Sequence, residues 1–211
     1  MESGMGREEG QLLDRVRRGD EAAIENIFGR YYGTVYRVLY HLLCVHEWAE
    51  DLAQETFLEL YRNPPAHLTQ DSGTLSAWLC RVALNRGYNA LRGDARARNR
   101  MERAASLDSP SESRHTDPAV EVLRVEERSQ VRVTLARLPE RQGKLLLLRH
   151  AGLSYAECAA VLEVAPTSIG TLLARAESAF RDAYKAIEGA ETGAGGDLAG
   201  VAFEPDERRS Q

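Results

Sequence analysis

The sequence predicts an all-α protein built as two small helical domains joined by a flexible linker. Apolar residues recur at intervals of three and four through residues 8 to 93, with no sustained two-residue alternation. An arginine-rich stretch followed by "SLDSPSESRHTDP" then holds almost no large apolar residue to offset the entropy of ordering it. A helical pattern resumes near Val120 and closes by Ile187. The expected limits are 1–93 for the first domain, 94–127 for the linker and 128–187 for the second domain. Residues 188–211 form a glycine-rich acidic tail that reads as disordered.

Each element follows from local signals. Asp20 is placed to cap a helix carrying Ile24, Ile27, Phe28 and Tyr31 and continuing through Val35, Leu39 and Leu43, with Gly29 and Gly33 weakening its continuity. A second helix, from about Trp48 to Arg62, must stop at Asn63-Pro64-Pro65, because proline disfavours helix in the residue before it and donates no amide. The loop "HLTQDSG" leads into a third, from about Leu75 to Leu91. In the second domain Pro139 suits a first helical turn, Arg149 and His150 a last turn, and Gly152 the stop. Ser154 and Glu157 form a capping box that opens a short helix with Tyr155, Cys158, Ala159 and Leu162 on its inner face. After Glu163-Val164-Ala165, Pro166 starts a longer helix with Ile169, Leu173, Ala176, Phe180, Ala183 and Ile187 facing inward. A short helix, a tight turn and a longer second helix is the layout of a DNA-reading helix-turn-helix.

Composition narrows the function. The 211 residues are 43% hydrophobic, enough for cores, but the apolar runs are short and interrupted by charge. Neither a membrane span nor a signal-peptide core is expected, which places the protein in the cytoplasm without membrane insertion. Cys44, Cys80 and Cys158 have no CxxC spacing and read as small core residues rather than disulfide partners or zinc ligands. The net charge of -5 hides an uneven distribution. Arg81 to Arg103 carries seven arginines against two acids, whereas Glu188 to Gln211 carries six acids against two arginines.

The stretch "AEDLAQETF" directs Leu52, Ala53, Thr56, Phe57 and Leu60 inward and Glu50, Asp51, Gln54, Glu55 and Glu59 outward. A di-metal carboxylate bundle would need Glu-x-x-His on facing helices, and the chain has none. General acid catalysis needs a buried carboxyl, and this pattern is its opposite. No metal, cofactor or catalytic residue is therefore expected, and an exposed acidic face suits a positively charged protein partner. On the third helix Leu79, Val82, Ala83 and Ala90 face inward, while Arg81, Asn85, Tyr88, Asn89 and Arg92 cluster elsewhere. Guanidinium groups hold phosphates, amides pair with base edges and an aromatic ring stacks an unpaired base. On the last helix the outer face comprises Thr167, Ser168, Gly170, Thr171, Ala174, Arg175 and Ser178. "GLSYA" half-matches a nucleophile elbow but lacks its second glycine and preceding strand, and the chain has no phosphate loop, so an enzyme is not expected.

In order and spacing, "GDEAAIENIFGRYYGTVYRVLYHLL", "AEDLAQETFLELYR" and "SAWLCRVALNRGYNALR" resemble the second domain of the sigma-70 family of bacterial RNA polymerase initiation factors, in its compact extracytoplasmic-function form. "LPERQGKLLLLRHAGLSYAECAAVLEV" resembles the fourth domain. The resemblance implies that Glu50, Asp51, Gln54, Glu55 and Leu58 dock on the clamp helices of the largest subunit of core RNA polymerase. It implies that Arg81, Asn85, Arg86, Tyr88, Asn89 and Arg92, with the loop His67 to Thr74, melt the minus-10 promoter element and capture a flipped base. It assigns Pro166, Thr167, Ser168, Gly170, Thr171 and Arg175 to the minus-35 element as duplex. Its partners are then core polymerase, promoter DNA and, as a restraining partner, an anti-sigma factor; phosphorylation of the serine-rich linker or the tail itself are alternative restraints. Gly170, Leu172 and Glu177 stand where the family often has basic residues, so the isolated second domain is expected to bind duplex weakly. The acidic tail is expected to mimic DNA over a basic surface. The alternative reading is a stand-alone helix-turn-helix regulator, which would bind a palindromic site without polymerase.

Overall fold

The computed structural model describes residues 2–65, 74–102 and 130–194. The loop from His67, the serine-rich linker and the tail residues Leu198, Val201 and Phe203 lie outside the described residues. The chain runs α1 (Glu2–Arg17), α2 (Glu21–Leu43), α3 (His46–Arg62), α4 (Leu75–Glu102), α5 (130–137), α6 (Glu140–His150), α7 (Tyr155–Leu162), a 3-10 turn (Pro166–Ser168) and α8 (Ile169–Ala194). No strand occurs among the described residues.

The first four helices form a bundle around α2. Asp20 caps α2 by accepting from the Ala22 amide at 3.1 Å and pairs with Arg15 at 2.8 Å. Its buried face, Ala23, Ile27, Tyr31, Val35, Val38, Leu39, Leu42 and Leu43, keeps one continuous helix through Gly29 and Gly33, both of which lie on exposed surface. Burial of that face outweighs the weak helix propensity of two glycines, about 1 kcal/mol each against about 1.5–3 kcal/mol for each large apolar side chain. From α1, Leu12, Leu13 and Val16 pack inward beside Glu9, which is only 1% exposed. One Glu9 oxygen accepts from the Tyr31 hydroxyl at 2.5 Å and the other from the Leu75 amide at 3.0 Å, so a buried carboxylate of α1 caps the start of α4. Burial, reinforced by Glu9, raises the Tyr31 hydroxyl well above the ordinary phenol range.

In the second half, Leu145, Leu147 and Leu148 of α6 pack with Leu153, Cys158, Ala159 and Ile169. Gly152, at φ +96°, turns the chain after α6. The capping box forms as the sequence predicts: the Ser154 hydroxyl accepts from the Glu157 amide at 3.2 Å and Glu157 accepts from the Ser154 amide at 2.8 Å. Glu163, in the left-handed region at φ 55°, ends α7, and the chain bends by 106° into the next helix, within the range of a helix-turn-helix.

Three expectations change. α4 continues to Glu102 rather than ending near Leu91, because alanine, methionine and arginine sustain a helix and no proline intervenes. α8 continues past Ile187 to Ala194, where no proline intervenes to end it. Tyr155 does not face inward: it is 45% exposed and carries the Arg149 guanidinium 4.9 Å above its ring, while Val161 is buried. The two helical domains pack on one another, α4 on α7 and α2 on α6, so that their buried residues form one apolar cluster from Leu12 to Ile169.

Candidate nucleic-acid and polymerase interface

The acidic helix is built as its pattern requires. Ala53, Thr56, Phe57 and Leu60 are buried, and Asp51, Gln54 and Glu55 are exposed. Leu58, at 48% exposure, extends the same stripe, and Tyr61, at 47%, continues it one turn further. An acidic stripe flanked by exposed apolar side chains can dock a basic helical partner with an apolar seam. Sequence reasoning missed Tyr61, although its three-residue step from Leu58 carries the signal. Glu55 and Glu59 are each held by Arg86 of α4 at 3.0 Å. Arg86 therefore braces α3 against α4, and the structure does not bring it to the Asn85, Tyr88 and Arg92 face. With Arg86 and both carboxylates partly exposed, each pair is worth no more than about 1 kcal/mol.

The polar stripe of α4 forms one surface, and that surface meets the second half of the chain. Asn85 accepts from the Lys144 ammonium at 3.1 Å, and the same ammonium lies 5.3 Å above the Tyr88 ring. Arg92 pairs with Glu140 at 3.0 Å and donates to Asn89 at 2.8 Å. Arg81 donates to the Ala160 carbonyl and pairs with Glu163 at 3.4 Å. Thr74, which caps α4 by accepting from the Ala77 amide, donates to Glu157 at 2.8 Å. A β-carbon on Gly143 would lie 2.8 Å from the Tyr88 hydroxyl, so any larger residue there would have to displace that hydroxyl. Burial, with the Glu140 charge adding to it, raises the Tyr88 hydroxyl far above its ordinary value. Hydrogen bonding to Lys144, then the charge of Arg92, holds the Glu140 carboxyl below its ordinary value despite its partial burial. A cleft of about 410 Å³ remains between Arg81 and Asn85 on one side and Glu140, Lys144, Leu162 and Glu163 on the other.

On the helix-turn-helix the opposite holds. Pro166, Thr167, Ser168, Gly170, Thr171, Ala174, Arg175 and Ser178 are all exposed, and Ile169 and Ala176 are wholly buried beneath them. The face has a single guanidinium and several hydroxyls, which suits phosphate and base-edge contacts of modest charge. Among the described residues no single helix is long and apolar enough to cross a membrane.

Comparison with known proteins agrees with this division. Residues 27–97 match the family model for sigma-70 region 2, and residues 128–179 match the model for sigma-70, region 4, together more than half of the chain. The chain is 28% identical over 183 residues to the RNA polymerase sigma-H factor of Pseudomonas aeruginosa, covering 84% of this chain and 94% of that one. It is 31% identical over 180 residues to the ECF RNA polymerase sigma factor SigE of Mycolicibacterium smegmatis, covering 82% and 67%. Among solved structures, it shares the fold of CnrH in complex with the cytosolic domain of CnrY, with a TM-score of 0.59 at 18% identity over 84% of this chain and 97% of that one. It also shares the fold of the sigma factor RpoE in complex with the anti-sigma factor NepR from Bartonella quintana, with a TM-score of 0.52 at 20% identity over 76% and 96%. The capped helix-turn-helix, the acidic α3 and the polar stripe of α4 thus sit in a chain that belongs to the sigma-70 family of RNA polymerase sigma factors, in its extracytoplasmic-function group, and serves promoter-specific initiation of transcription.

Proposed function

We propose that the protein docks on the clamp helices of core RNA polymerase through Glu50, Asp51, Gln54, Glu55 and Leu58, and that it reads its promoter at two elements. Residues 128–187 recognise the minus-35 element as duplex, with Pro166, Thr167, Ser168, Gly170, Thr171 and Arg175 at the groove. Residues 1–93 open the minus-10 element, with Arg81, Asn85, Tyr88, Asn89 and Arg92 on the non-template strand and Arg86 bracing them from behind. Residues 94–127 join the two. An anti-sigma factor is a fitting restraint, since the CnrH and RpoE structures are complexes with CnrY and with the anti-sigma factor NepR.

The observation that carries this reading is the stripe on α4, where guanidinium, amide and aromatic groups follow one another at helical spacing on one face. Extruding a base costs a few kcal/mol, and stacking on Tyr88 at about 1–3 kcal/mol with amide contacts from Asn85 and Asn89 offsets it. The test is transcription of fragmented genomic DNA by core polymerase plus this protein, with melted thymines mapped by permanganate. The expected start sites share two spaced elements, and Asn85→Ala with Tyr88→Ala lowers melting at least about tenfold, the loss of one stacked base, while duplex capture persists. Unchanged melting in that variant would overturn the assignment. Polymerase-independent binding to a palindrome would favour a stand-alone regulator instead.

A further inference from the structure

We infer that α1 is a positioning element for promoter opening: Glu9 and Arg17 hold the two chain ends, Leu75 and Pro65, between which the minus-10 stretch His67 to Thr74 is strung. The inference rests on the reading of α4 and of that stretch given above, and it names what sets their place. α1 precedes residues 27–97, which match the family model, so these contacts come from outside the family pattern. At the far end of the stretch, Leu75 is wholly buried as the first residue of α4, and a buried amide there needs a partner. Thr74 accepts from the Ala77 amide, and the Leu75 amide donates to Glu9 at 3.0 Å, across 66 residues of sequence. At the near end, Pro65 has a carbonyl but no amide hydrogen. The Arg17 guanidinium donates to that carbonyl, aimed by its ion pair with Asp14 at 2.5 Å. α1 is itself fixed on α2. Leu12, Leu13 and Val16 are buried, Glu9 accepts from Tyr31 at 2.5 Å, and Glu8 pairs with Arg30 at 2.8 Å. Glu9 and Arg17 lie about 12 Å apart along the helix axis, whereas the chain from Pro65 to Leu75 can extend to roughly 33 Å. One helix therefore holds both ends short of that reach before DNA arrives. Holding an extruded base demands one conformation of the stretch, and ends tied in advance lower the entropy that capture must offset.

The test uses the full chain with core polymerase and a promoter fragment recovered by the transcription assay above. Arg17→Ala releases Pro65, and Glu9→Leu leaves the Leu75 amide without its acceptor. Glu9→Gln is the conservative rescue, since its side-chain oxygen still accepts from Leu75. Arg18→Ala is the control, because Arg18 donates to the Asp14 carbonyl of its own helix at 3.1 Å. Permanganate maps melted thymines, footprinting follows the minus-35 duplex, and size exclusion measures the complex with polymerase. The expected result is melting lowered at least threefold by Arg17→Ala and at least tenfold by Glu9→Leu, with Glu9→Gln and Arg18→Ala within twofold of wild type. The complex and the minus-35 footprint should stay within twofold in every folded variant, which a general structural defect would not allow. Circular dichroism identifies a Glu9→Leu chain that fails to fold, in which case Arg17→Ala against Arg18→Ala carries the test. Positioning by α1 is overturned by unchanged melting in the folded variants, by an equal loss in Arg18→Ala, by a Glu9→Gln chain that melts no better than a folded Glu9→Leu chain, or by a complex and footprint that fall in step with melting. Asn85→Ala with Tyr88→Ala is measured alongside. Unchanged melting in that pair overturns the reading of α4, whereas a loss there with none in the α1 variants overturns the positioning alone.

Discussion

The carboxylate of Glu157 joins two helix starts, and a double-mutant cycle measures that joint. One oxygen closes the capping box on the Ser154 amide at 2.8 Å, and the other accepts from the Thr74 hydroxyl, the cap of α4, also at 2.8 Å. Losing half of a capping box costs about 1 kcal/mol. A hydrogen bond to a charged group contributes about 1.5–3 kcal/mol when well buried. Here both partners are partly exposed, which reduces the coupling to about 0.5–1.5 kcal/mol. Glu157→Ala is therefore expected to destabilise the chain by about 2 kcal/mol, and Thr74→Val by a similar amount because it also loses the bond to the Ala77 amide. The double variant should lose less than the sum of the singles by that coupling. Urea unfolding followed by circular dichroism at 222 nm measures all four chains. A coupling below about 0.3 kcal/mol, the ordinary scatter of additivity, would show that the two helix starts do not depend on one another and would refute the joint.

Three other outcomes follow from the same geometry. Ser154→Ala removes the hydroxyl that accepts from the Glu157 amide and should cost about 1 kcal/mol, a drop of roughly 2–4 °C in melting temperature by calorimetry for a chain of this size. Leu148→Ala, at a wholly buried site in α6, should cost about 3–5 kcal/mol in urea, beyond any surface substitution on the same helix. Burial first, then the nearby Glu157 carboxylate, pushes the Cys80 thiol up to about 12, and burial pushes Cys158 up to about 11, against an ordinary 9.0. Both thiols are protonated at pH 8, so iodoacetamide should modify the part-exposed Cys44 much faster than either, with the difference vanishing in denaturant. The linkage has a definite sign. A raised folded value means the folded chain holds its protons longer, so this stability is complete below pH 9 and is lost as pH rises through about 11 and 12.

Much of the fold was legible because its signals were local. The capping box from Ser154 to Glu157, the stop at Asn63-Pro64-Pro65 and the apolar stripe of α2 each lie within one or two turns of chain, where spacing alone decides the outcome. The ends of α4 and α8 were not, because no proline marks where either helix stops and composition there also suits a linker. Glu9 left no signal at all: nothing in "REEGQLL" separates a carboxylate that will be 1% exposed from its solvated neighbour Glu8. The stripe on α4 was readable as a set of residue types, but its contacts were not. Lys144 lies 59 residues from Asn85, and Glu140 lies 48 from Arg92. Exposed charges on amphipathic helices look the same whether they meet water, a partner or another part of their own chain.

The central claim is that the exposed acidic stripe of α3 docks on core RNA polymerase. Its most direct test is co-elution of the purified protein with bacterial core polymerase on size exclusion, comparing wild type with Asp51→Ala plus Glu55→Ala and with the exposed control Glu25→Ala. Wild type and control should co-elute, and the double variant should lose at least about tenfold in affinity, equivalent to about 1.4 kcal/mol. Equal retention of all three chains would remove the acidic stripe from the interface, and no retention of the wild type would contradict the account itself.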